Sequence, residues 1–324
     1  GREHALVWKL AQSDEVEEIH CAPGNPGIGE HAICHPDIQA GNLDGIIDLA
    51  SRHHFEFVVI GPEMPLAQGL ADRLEEIGTA CIGPNKGAAM LEASKGFMKD
   101  LCAENEIPTA LYKRFDIEEE ALAFLEGFGK NVVIKADGLA AGKGVVLPET
   151  FNEARAAVSS MLSGQSFGAA SKEIVIEEYL EGPEVSFFAL TDGKSVIPFG
   201  TAEDHKRAYD NDEGPNTGGM GAFSPSPHVT PELEQVIMTD IIEPTLKGLQ
   251  NKGLVYKGVL YAGLILEKGA PKLLEYNIRF GDPECQVLMM RLKSDLVPIL
   301  KAMIDGRLTD MKDKIEWEPH SAVT

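Results

Sequence analysis

The chain has 324 residues, of which 44% are hydrophobic and 25% charged, a composition typical of globular proteins. Its 51 acidic residues against 29 Lys and Arg give a formal charge of −22, which argues against a general nucleic-acid or anionic-membrane binder. No apolar stretch approaches the roughly 18 residues that a transmembrane helix needs, and the length predicts two or three domains.

The amino-terminal part alternates short apolar runs with helical patterns. It begins in a helix-like pattern, Glu3 to Leu10, so we expect a strand before Gly1. The runs Phe55–Ile60 and Ala80–Ile82 end at Gly-Pro and precede helical patterns over 66–77 and 88–104. This alternation predicts a parallel sheet whose ligands bind at the carboxyl ends of the strands. Three loops have that character: 23–27, 61–63 and 83–85.

The middle part predicts a compact subdomain of order β-α-β-β-α-β. Its predicted elements are Leu111–Phe115, Ile117–Phe128, Val132–Lys135, Gly144–Leu147, a helix opened by Thr150 and Glu153, and Glu173–Glu178.

Hairpins dominate the third part. Strands Val185–Leu190 and Ser195–Phe199 flank the turn signal Asp192-Gly193. A long loop is predicted from Gly200 to about His228, followed by a helix from Pro231 to Leu249. A second hairpin, Leu260–Leu266 with Lys272–Asn277, follows. The chain stops as an apolar run begins, so we expect more chain after Thr324.

The most distinctive segment is the glycine-rich loop between Lys135 and Gly144, which joins two β-runs and carries a lysine at each edge. Small residues let backbone N–H groups approach phosphate oxygens, and lysines neutralise their charge. It is no Walker A loop, because Gly144 stands where Ser or Thr would follow Lys143. We interpret it as a phosphate loop on a hairpin; the alternative is a plain hairpin with two solvated lysines.

Strand alternation places Glu275, Asn277 and Arg279 on one face. A carboxylate and an amide suit Mg²⁺ whose other ligands are substrate phosphates, and Arg279 could stabilise a developing anion. The alternative is an exposed strand face with a salt bridge.

The long loop combines a basic cluster, Asp204–Arg207, with the glycine run Asn216–Gly221, which suggests an anion-binding lid rather than a disordered surface loop. Glu177–Leu180 could pair its backbone with an adenine edge, although two glutamates before Tyr-Leu are most often a solvated strand end.

Cysteines and histidines predict no further site. The five cysteines lack a C-x-x-C pair, which fits a reducing, cytoplasmic location. The nine histidines contain one adjacent pair, His53–His54, which we interpret as surface residues, and no H-E-x-x-H. We therefore expect no metal cage made of protein ligands alone.

These motifs together resemble the phosphoribosylamine–glycine ligases, a family of ATP-grasp carboxylate–amine ligases. The resemblance rests on segments 1–6, 61–63, 135–144, 204–207, 216–221 and 274–284 and covers essentially the whole chain. It implies ATP-dependent ligation of glycine to 5-phosphoribosylamine through glycyl phosphate, which yields glycinamide ribonucleotide, ADP and phosphate in purine biosynthesis.

The resemblance also implies a division of the α/β fold. The expected units are a pre-ATP-grasp domain over 1–94 that lacks its first strand, an ATP-grasp region over 95–316, and the start of a further domain over 317–324. Within the ATP-grasp region we expect a small α+β lid at about 113–182 and a mixed-sheet catalytic part at about 183–316.

Residue roles follow by position in the family motifs. Catalytic roles fall on Arg279, Lys135 and Lys143. ATP binding falls on Lys99, Lys135, Gly138, Gly142, Gly144, Glu177, Tyr179, Leu180 and Glu184. Mg²⁺ or Mn²⁺ ligation falls on Glu275 and Asn277. Substrate binding falls on Gly1, Arg2, Glu3, His4, Gly24, Asn25, Gly27, Gly61, Pro62, Glu63, Asp204, Lys206, Arg207, Asn216, Gly218, Gly219 and Arg279.

One departure concerns the metal site. Many ATP-grasp enzymes carry another metal carboxylate on the strand before E-x-N, but here Tyr261–Leu266 has none until Glu267 at the hairpin turn. The rival hypotheses are another ATP-grasp ligase, such as a formate- or bicarbonate-using one, and a non-catalytic nucleotide-binding module. We expect small-molecule partners, no nucleic acid or membrane, and a monomer or weak dimer.

Overall fold

The computed structural model describes residues 1–140, 144–164, 168–210 and 213–324, apart from the side chains of residues 169, 207, 215 and 216. The α/β organisation predicted from the sequence is confirmed. A parallel amino-terminal part, a four-stranded subdomain and a six-stranded antiparallel sheet follow one another along the chain.

The amino-terminal part contains the predicted alternation of strands and helices. Its elements are α1 (Arg2–Leu10), β1 (His20–Cys21), β2 (Ile33–Cys34), α2 (Leu43–His53), β3 (Phe57–Val59), α3 (Glu63–Gln68), α4 (Leu70–Glu76), β4 (Ala80–Ile82) and α5 (Met90–Ala93). β1 pairs with β2 and β3 with β4, both in parallel. The helix predicted over 66–77 is divided at Gly69, whose φ of +92° ends α3.

The single helix predicted over 88–104 is wrong, because the chain is extended at Ser94 between α5 and α6 (Lys95–Glu104). The Ser94 hydroxyl accepts a hydrogen bond from the N–H of Phe97 (3.0 Å) and donates one to Asp137 Oδ1 (2.9 Å). The same Asp137 oxygen accepts the N–H of Gly96 at 2.7 Å. This break therefore attaches the start of α6 to the glycine-rich loop.

The middle part has the predicted β-α-β-β-α-β order. Its elements are β5 (Tyr112–Phe115), α7 (Glu118–Phe128), β6 (Val132–Ala136), β7 (Val145–Val146), α8 (Phe151–Leu162) and β8 (Ile174–Glu178). The strands lie in the order β5-β8-β6-β7, and both helices pack on this sheet through a core of their own. The hydroxyl of Thr150 accepts the N–H of Glu153 (3.2 Å) and caps α8 as the sequence predicts.

The third part is built on a six-stranded sheet of order β13-β12-β9-β10-β11-β14. Its strands are β9 (Glu184–Thr191), β10 (Val196–Tyr209), β11 (Glu213–Ser224), β12 (Gly258–Glu267), β13 (Ala270–Asn277) and β14 (Ala322–Val323). β9 is buried on both faces, since Phe187 and Phe188 point into different cores.

The long loop predicted over 200–228 is wrong, because most of it belongs to β10 and β11. These strands pair from Glu203 with Phe223 to Tyr209 with Glu213. The glycines and charges of this segment lack the apolar alternation of a strand, but ladder hydrogen bonds come from the backbone and form regardless.

Helices cover the sheet on both sides. They are α9 (Pro231–Ile237), α10 (Glu243–Asn251), α11 (Glu284–Arg291) and α12 (Leu296–Ile304). The helix predicted from Pro231 to Leu249 forms, but a π-helical turn at Met238–Ile242 joins α9 to α10. This wide turn lies next to Pro244, which has no N–H for the regular helical bond. Among the described residues, no helix is both long and apolar enough to cross a bilayer.

The amino-terminal part and the central sheet approach each other closely at two glycines. A Cβ on Gly258, whose φ is +135°, would lie 3.1 Å from the Cα and 3.2 Å from the N of Gly83. The obstacle is backbone rather than a movable side chain, so this contact needs a glycine.

We predict that Gly258→Ala lowers the free energy of unfolding by about 1–3 kcal/mol more than Gly269→Ala does. Gly269 also has a positive φ (+86°), but no atom lies within 4 Å of its added Cβ, so this control has an unfavourable φ without the contact. Urea denaturation of both variants measures the difference, and equal losses would contradict the close packing of Gly258 on Gly83.

Candidate active site

Two lysines from different parts of the fold share one buried carboxylate. Lys99 on α6 and Lys135 on β6 both form ion pairs with Glu177 on β8, and these side chains are 0%, 8% and 2% exposed. Burial raises the pKa of Glu177, but the two lysines outweigh it and hold that pKa below its ordinary value. Glu177 therefore stays ionised and balances two neighbouring cations.

The lysine pair lies against the backbone of β13. Lys99 Nζ donates to the hydroxyl of Thr109 (2.7 Å), which in turn donates to the carbonyl of Leu273 (2.6 Å). Lys135 Nζ lies 3.5 Å from the carbonyl oxygen of Leu274. Lys99 and Lys135 are thus adjacent to the strand that carries Glu275 and Asn277.

Glu275 and Asn277 are presented as strand alternation predicts. Both are half-buried, whereas Tyr276 between them is 2% exposed. Among the described residues, neither side chain has a hydrogen-bond or ion-pair partner. Burial raises the pKa of Glu275, but Lys206, Lys135, Lys95 and Arg279 together lower it below the ordinary range. An ionised carboxylate surrounded by cations and an adjacent free amide oxygen fit a divalent metal with phosphate ligands.

Arg279 lies where the two halves of the molecule meet. Its guanidinium donates to Glu63 Oε2 at 3.3 Å and to Glu92 Oε1 at 3.0 Å, both in the amino-terminal part. Glu92 Oε2 also accepts the N–H of Ile278 at 2.8 Å. Burial raises the pKa of Glu92 to about 7 despite the opposing charge of Arg279.

The residues predicted for substrate binding in the amino-terminal part come together beside Arg279. Arg2 pairs with Glu3 (2.7 Å) and donates to the carbonyl of Phe280 (3.1 Å). Gly61 packs so closely on Glu3 that a Cβ there would overlap its carboxylate. Gly1 lies against Asp282, whose carboxylate accepts the N–H of Arg2 at 3.2 Å.

The loop over 23–27 lies near the same place through His4. A Cβ on Gly27 would lie 2.8 Å from the His4 ring and 3.4 Å from Asn25 Oδ1. Asn25 Oδ1 accepts the N–H of Ile28 (3.0 Å). Gly24 has a φ of +75° and packs against the side chain of Cys34. Pro62 precedes α3, which Glu63 begins.

The predicted lid residues lie on the hairpin β10–β11. Lys206 Nζ is 3.5 Å from a carboxylate oxygen of Asp204 and from one of Glu184. Burial lowers the pKa of Lys206, but these two acids, together with Glu275 and Tyr261, raise it well above its ordinary value. Gly218 precedes Gly219, which packs on Pro283 and the carbonyl of Asp282. Arg207 and Asn216 pair in the ladder, while their side chains lie outside the described residues.

The other nucleotide-site candidates occupy the edge of the subdomain. Tyr179 and Leu180 follow β8; Tyr179 is 44% exposed and Leu180 5%. Gly138 approaches the backbone of Ala170, to which its N–H donates at 2.8 Å. Gly144 packs against Ala136 and Ala140, whereas Gly142 and Lys143 lie outside the described residues.

Sequence reasoning passed over three residues of the site. Glu92 carries no motif of its own, and its contact with Arg279 spans 187 positions of sequence. Burial lowers the pKa of Lys95, and its Nζ lies 3.4 Å from the carbonyl oxygen of Gly138. The Ser-Lys-Gly sequence that interrupts the helix pattern is the feature from which Lys95 could have been predicted. Glu284 is 3% exposed and accepts the hydroxyl of Tyr261 at 3.2 Å.

Comparison with known proteins decides the family. The models of phosphoribosylglycinamide synthetase match residues 1–92 (N domain) and 93–285 (ATP-grasp domain). Phosphoribosylamine–glycine ligase of Rhizobium meliloti is 52% identical over the whole chain, which covers 76% of that protein, and that of Vibrio cholerae is 46% identical with 75% covered. The chain belongs to the phosphoribosylamine–glycine ligase family.

Solved structures agree with this assignment. A phosphoribosylamine–glycine ligase from Thermotoga maritima matches with a TM-score of 0.82 and 33% identity over 94% of this chain and 73% of that one. The biotin carboxylase domain of a Hydrogenobacter thermophilus carboxylase matches with a TM-score of 0.67 over 87% of this chain and 61% of that one. At 23% identity, the second match supports the ATP-grasp fold alone. The chain is thus an ATP-grasp ligase, as the sequence motifs predict.

We predict that Lys135→Met lowers kcat/KM for ATP about 100-fold or more, since it removes a buried cation from the ligase site. The fold should survive, because Glu177 keeps Lys99 as a partner. Steady-state kinetics and thermal unfolding separate the two effects. Lys130→Met, which removes the exposed ion pair with Glu178, is the matched control and should leave turnover unchanged. Near-normal turnover in Lys135→Met would contradict the role.

We predict that Glu92→Gln removes a pH-dependent loss of stability. The unfolded carboxyl ionises near 4.5 and the folded one near 7, so stability falls as pH rises between these values. Relative to wild type, the variant should gain about 3 kcal/mol of unfolding free energy between pH 4.5 and 8, from about 1.4 kcal/mol per pKa unit. Denaturant unfolding at several pH values measures it, with exposed Glu119→Gln as control. A constant difference across this range would show that Glu92 titrates normally.

Proposed function

We propose that this chain ligates glycine to 5-phosphoribosylamine with ATP and forms glycinamide ribonucleotide, ADP and phosphate. The observation that carries the proposal is the gathering of Lys95, Lys135, Lys206 and Arg279 around Glu275, with Lys99 next to Lys135, in a chain of net charge −22. The ligase family to which the chain belongs supports the substrates by its name.

The chemical problem is repulsion between two anions. A carboxylate oxygen of glycine attacks the γ-phosphorus of ATP, the bond from that phosphorus to ADP breaks, and glycyl phosphate forms. The amine nitrogen of phosphoribosylamine then attacks the carbonyl carbon, phosphate leaves with the carbon–oxygen electrons, and the nitrogen loses a proton. No side-chain nucleophile is needed, because the substrate carboxylate is the attacking group.

The cations are assigned by their position in the site. Lys99 and Lys135 would bind nucleotide phosphates, together with Lys143 and the glycines at 138, 142 and 144. Arg279 would stabilise the acyl phosphate beside Glu275. Because Lys135 and Arg279 already lie around Glu275 in the folded chain, catalysis would come mainly from positioning and electrostatic stabilisation.

Glu275 and Asn277 would hold Mg²⁺ or Mn²⁺, since their oxygens are without protein partners among the described residues. When bound, the ion would neutralise phosphate charge. Glu267 does not join them: it ends β12 and forms an ion pair with Lys272 at 2.8 Å. Gly263 of β12 lies next to Glu275, since a Cβ added to it would be 3.2 Å from Glu275 Cγ.

The remaining roles divide between the parts of the fold. In this proposal, residues 1–94 and the hairpin β10–β11 supply the loops for phosphoribosylamine and glycine, the lid at about 113–182 and the catalytic part at about 183–316 bind ATP, and 317–324 begin a further domain. Tyr179 and Leu180 would contact adenine, and Glu184 the ribose. The five free cysteines favour a cytoplasmic location, and we propose a monomer or weak dimer.

We predict that Glu275→Gln raises the Mg²⁺ concentration for half-maximal activity about tenfold or more, because one negative ligand becomes neutral. Glu267→Gln is the matched control, because Glu267 is a glutamate at the end of the neighbouring strand β12. Titration of Mg²⁺ at saturating ATP measures both. Unchanged Mg²⁺ dependence in Glu275→Gln would contradict the assignment.

The test of the function follows ADP and phosphate while glycine or phosphoribosylamine is omitted in turn. We expect release only with both substrates, and glycine labelled with ¹⁸O in its carboxylate should transfer one ¹⁸O to phosphate. Phosphate without the label would exclude glycyl phosphate. Release with formate or bicarbonate in place of glycine would indicate another ATP-grasp ligase, and nucleotide binding without release a non-catalytic module.

A further inference from the structure

A cluster of histidines lies in the amino-terminal part, outside the ligase site. His20 begins β1, His35 follows β2, and His53 ends α2. The ring centroid of His20 lies 5.1 Å from that of His35 and 4.4 Å from that of His53. Phe55 packs against both His20 and His53, at 4.9 and 5.5 Å between centroids.

We propose that Glu18, His20 and His53 form a binding site for a divalent transition-metal ion of the zinc class. One ligand atom from each lies within 4.8 Å of the other two. No other group of three or more His, Cys, Asp or Glu ligand atoms is this close among residues 1–140, 144–164, 168–210 and 213–324.

Two imidazoles and a carboxylate select zinc-class ions over Mg²⁺, which prefers oxygen ligands. Three protein ligands leave a fourth tetrahedral position for water. The three side chains differ in freedom: that of His20 is 4% exposed, whereas that of Glu18 is 58% exposed and His53 is an exposed residue. Glu18 and His53 can therefore adjust to bond lengths of about 2.0–2.2 Å around a fixed His20.

His35 acts as a positioning residue for His20. Its Nε2 lies 2.8 Å from Nδ1 of His20, on the opposite side of the ring from the Nε2 that faces Glu18 at 2.5 Å. Such a partner fixes the orientation of a metal-binding imidazole.

The proposed ion would join two segments that are distant in sequence. It would link the entry to β1 with the end of α2, and the His35 contact would extend this link to β2. Its consequence is a more stable amino-terminal part. The residues involved are separate from those assigned to the ligation, so metal binding and ligase activity can be tested independently.

The test titrates Zn²⁺ into chelator-treated chain without nucleotide, in competition with a chromogenic zinc chelator. We expect one Zn²⁺ per chain, a rise of the thermal unfolding midpoint on binding, and tetrahedral Co²⁺ absorption after substitution. Glu275→Gln should keep this equivalent, which separates it from the proposed Mg²⁺ site.

Variants assign the ligands. His53→Ala should weaken Zn²⁺ binding about 100-fold or more, and His35→Gln about 10- to 100-fold. His54→Ala removes the adjacent exposed histidine and is the matched control, with unchanged binding. His20→Gln adds a second ligand variant, while His53→Ala remains decisive if the buried substitution prevents folding.

Circular dichroism and ligase activity of metal-free His53→Ala should match wild type, so that lost binding cannot be attributed to lost folding. Wild-type affinity in His53→Ala, or equal weakening in His54→Ala and His53→Ala, would overturn the proposal.

Discussion

The ion pairs that Lys99 and Lys135 make with Glu177 are the interaction on which the site depends. Two buried ammonium groups side by side repel each other, and burial alone lowers the pKa of both. Glu177 offsets this repulsion at the cost of its own desolvation, and its contacts hold both lysines at the backbone of β13. The sheet, the subdomain and α6 must therefore meet at one place for the cations to remain charged.

A second constraint joins the amino-terminal part to the catalytic sheet. Arg279 is attached to Glu63 and Glu92, while Arg2 donates to the backbone of Phe280. Close approach of Gly258 to Gly83 brings the same two parts together at another point. The amino-terminal loops and Arg279 are consequently held by one interface, so a shift of one part would move the other.

The site combines an excess of local positive charge with an acidic chain. Lys206 and Lys95 extend the cation group around Glu275, and Asp204 and Glu184 partly balance Lys206. This balance reduces the repulsion among the cations of the site. The same cations hold the pKa of Glu275 below its ordinary value, although burial raises it.

Much of the fold and of the candidate site could be predicted from the sequence alone. Apolar runs, Gly-Pro turns and the capping pair Thr150–Glu153 predicted α1, β3, β4 and the elements of the middle part, because such signals act over a few residues. The alternation of Glu275 and Asn277 and the lysines that border the glycine-rich loop likewise indicated the chemistry.

The tertiary structure decided the rest: that β10 and β11 are strands, that Ser94 interrupts a helix to contact Asp137, that Glu92 holds Arg279, and that three distant histidines meet. These features arise from backbone pairing and from contacts across many positions of sequence, and neither leaves a periodic pattern in the residues themselves.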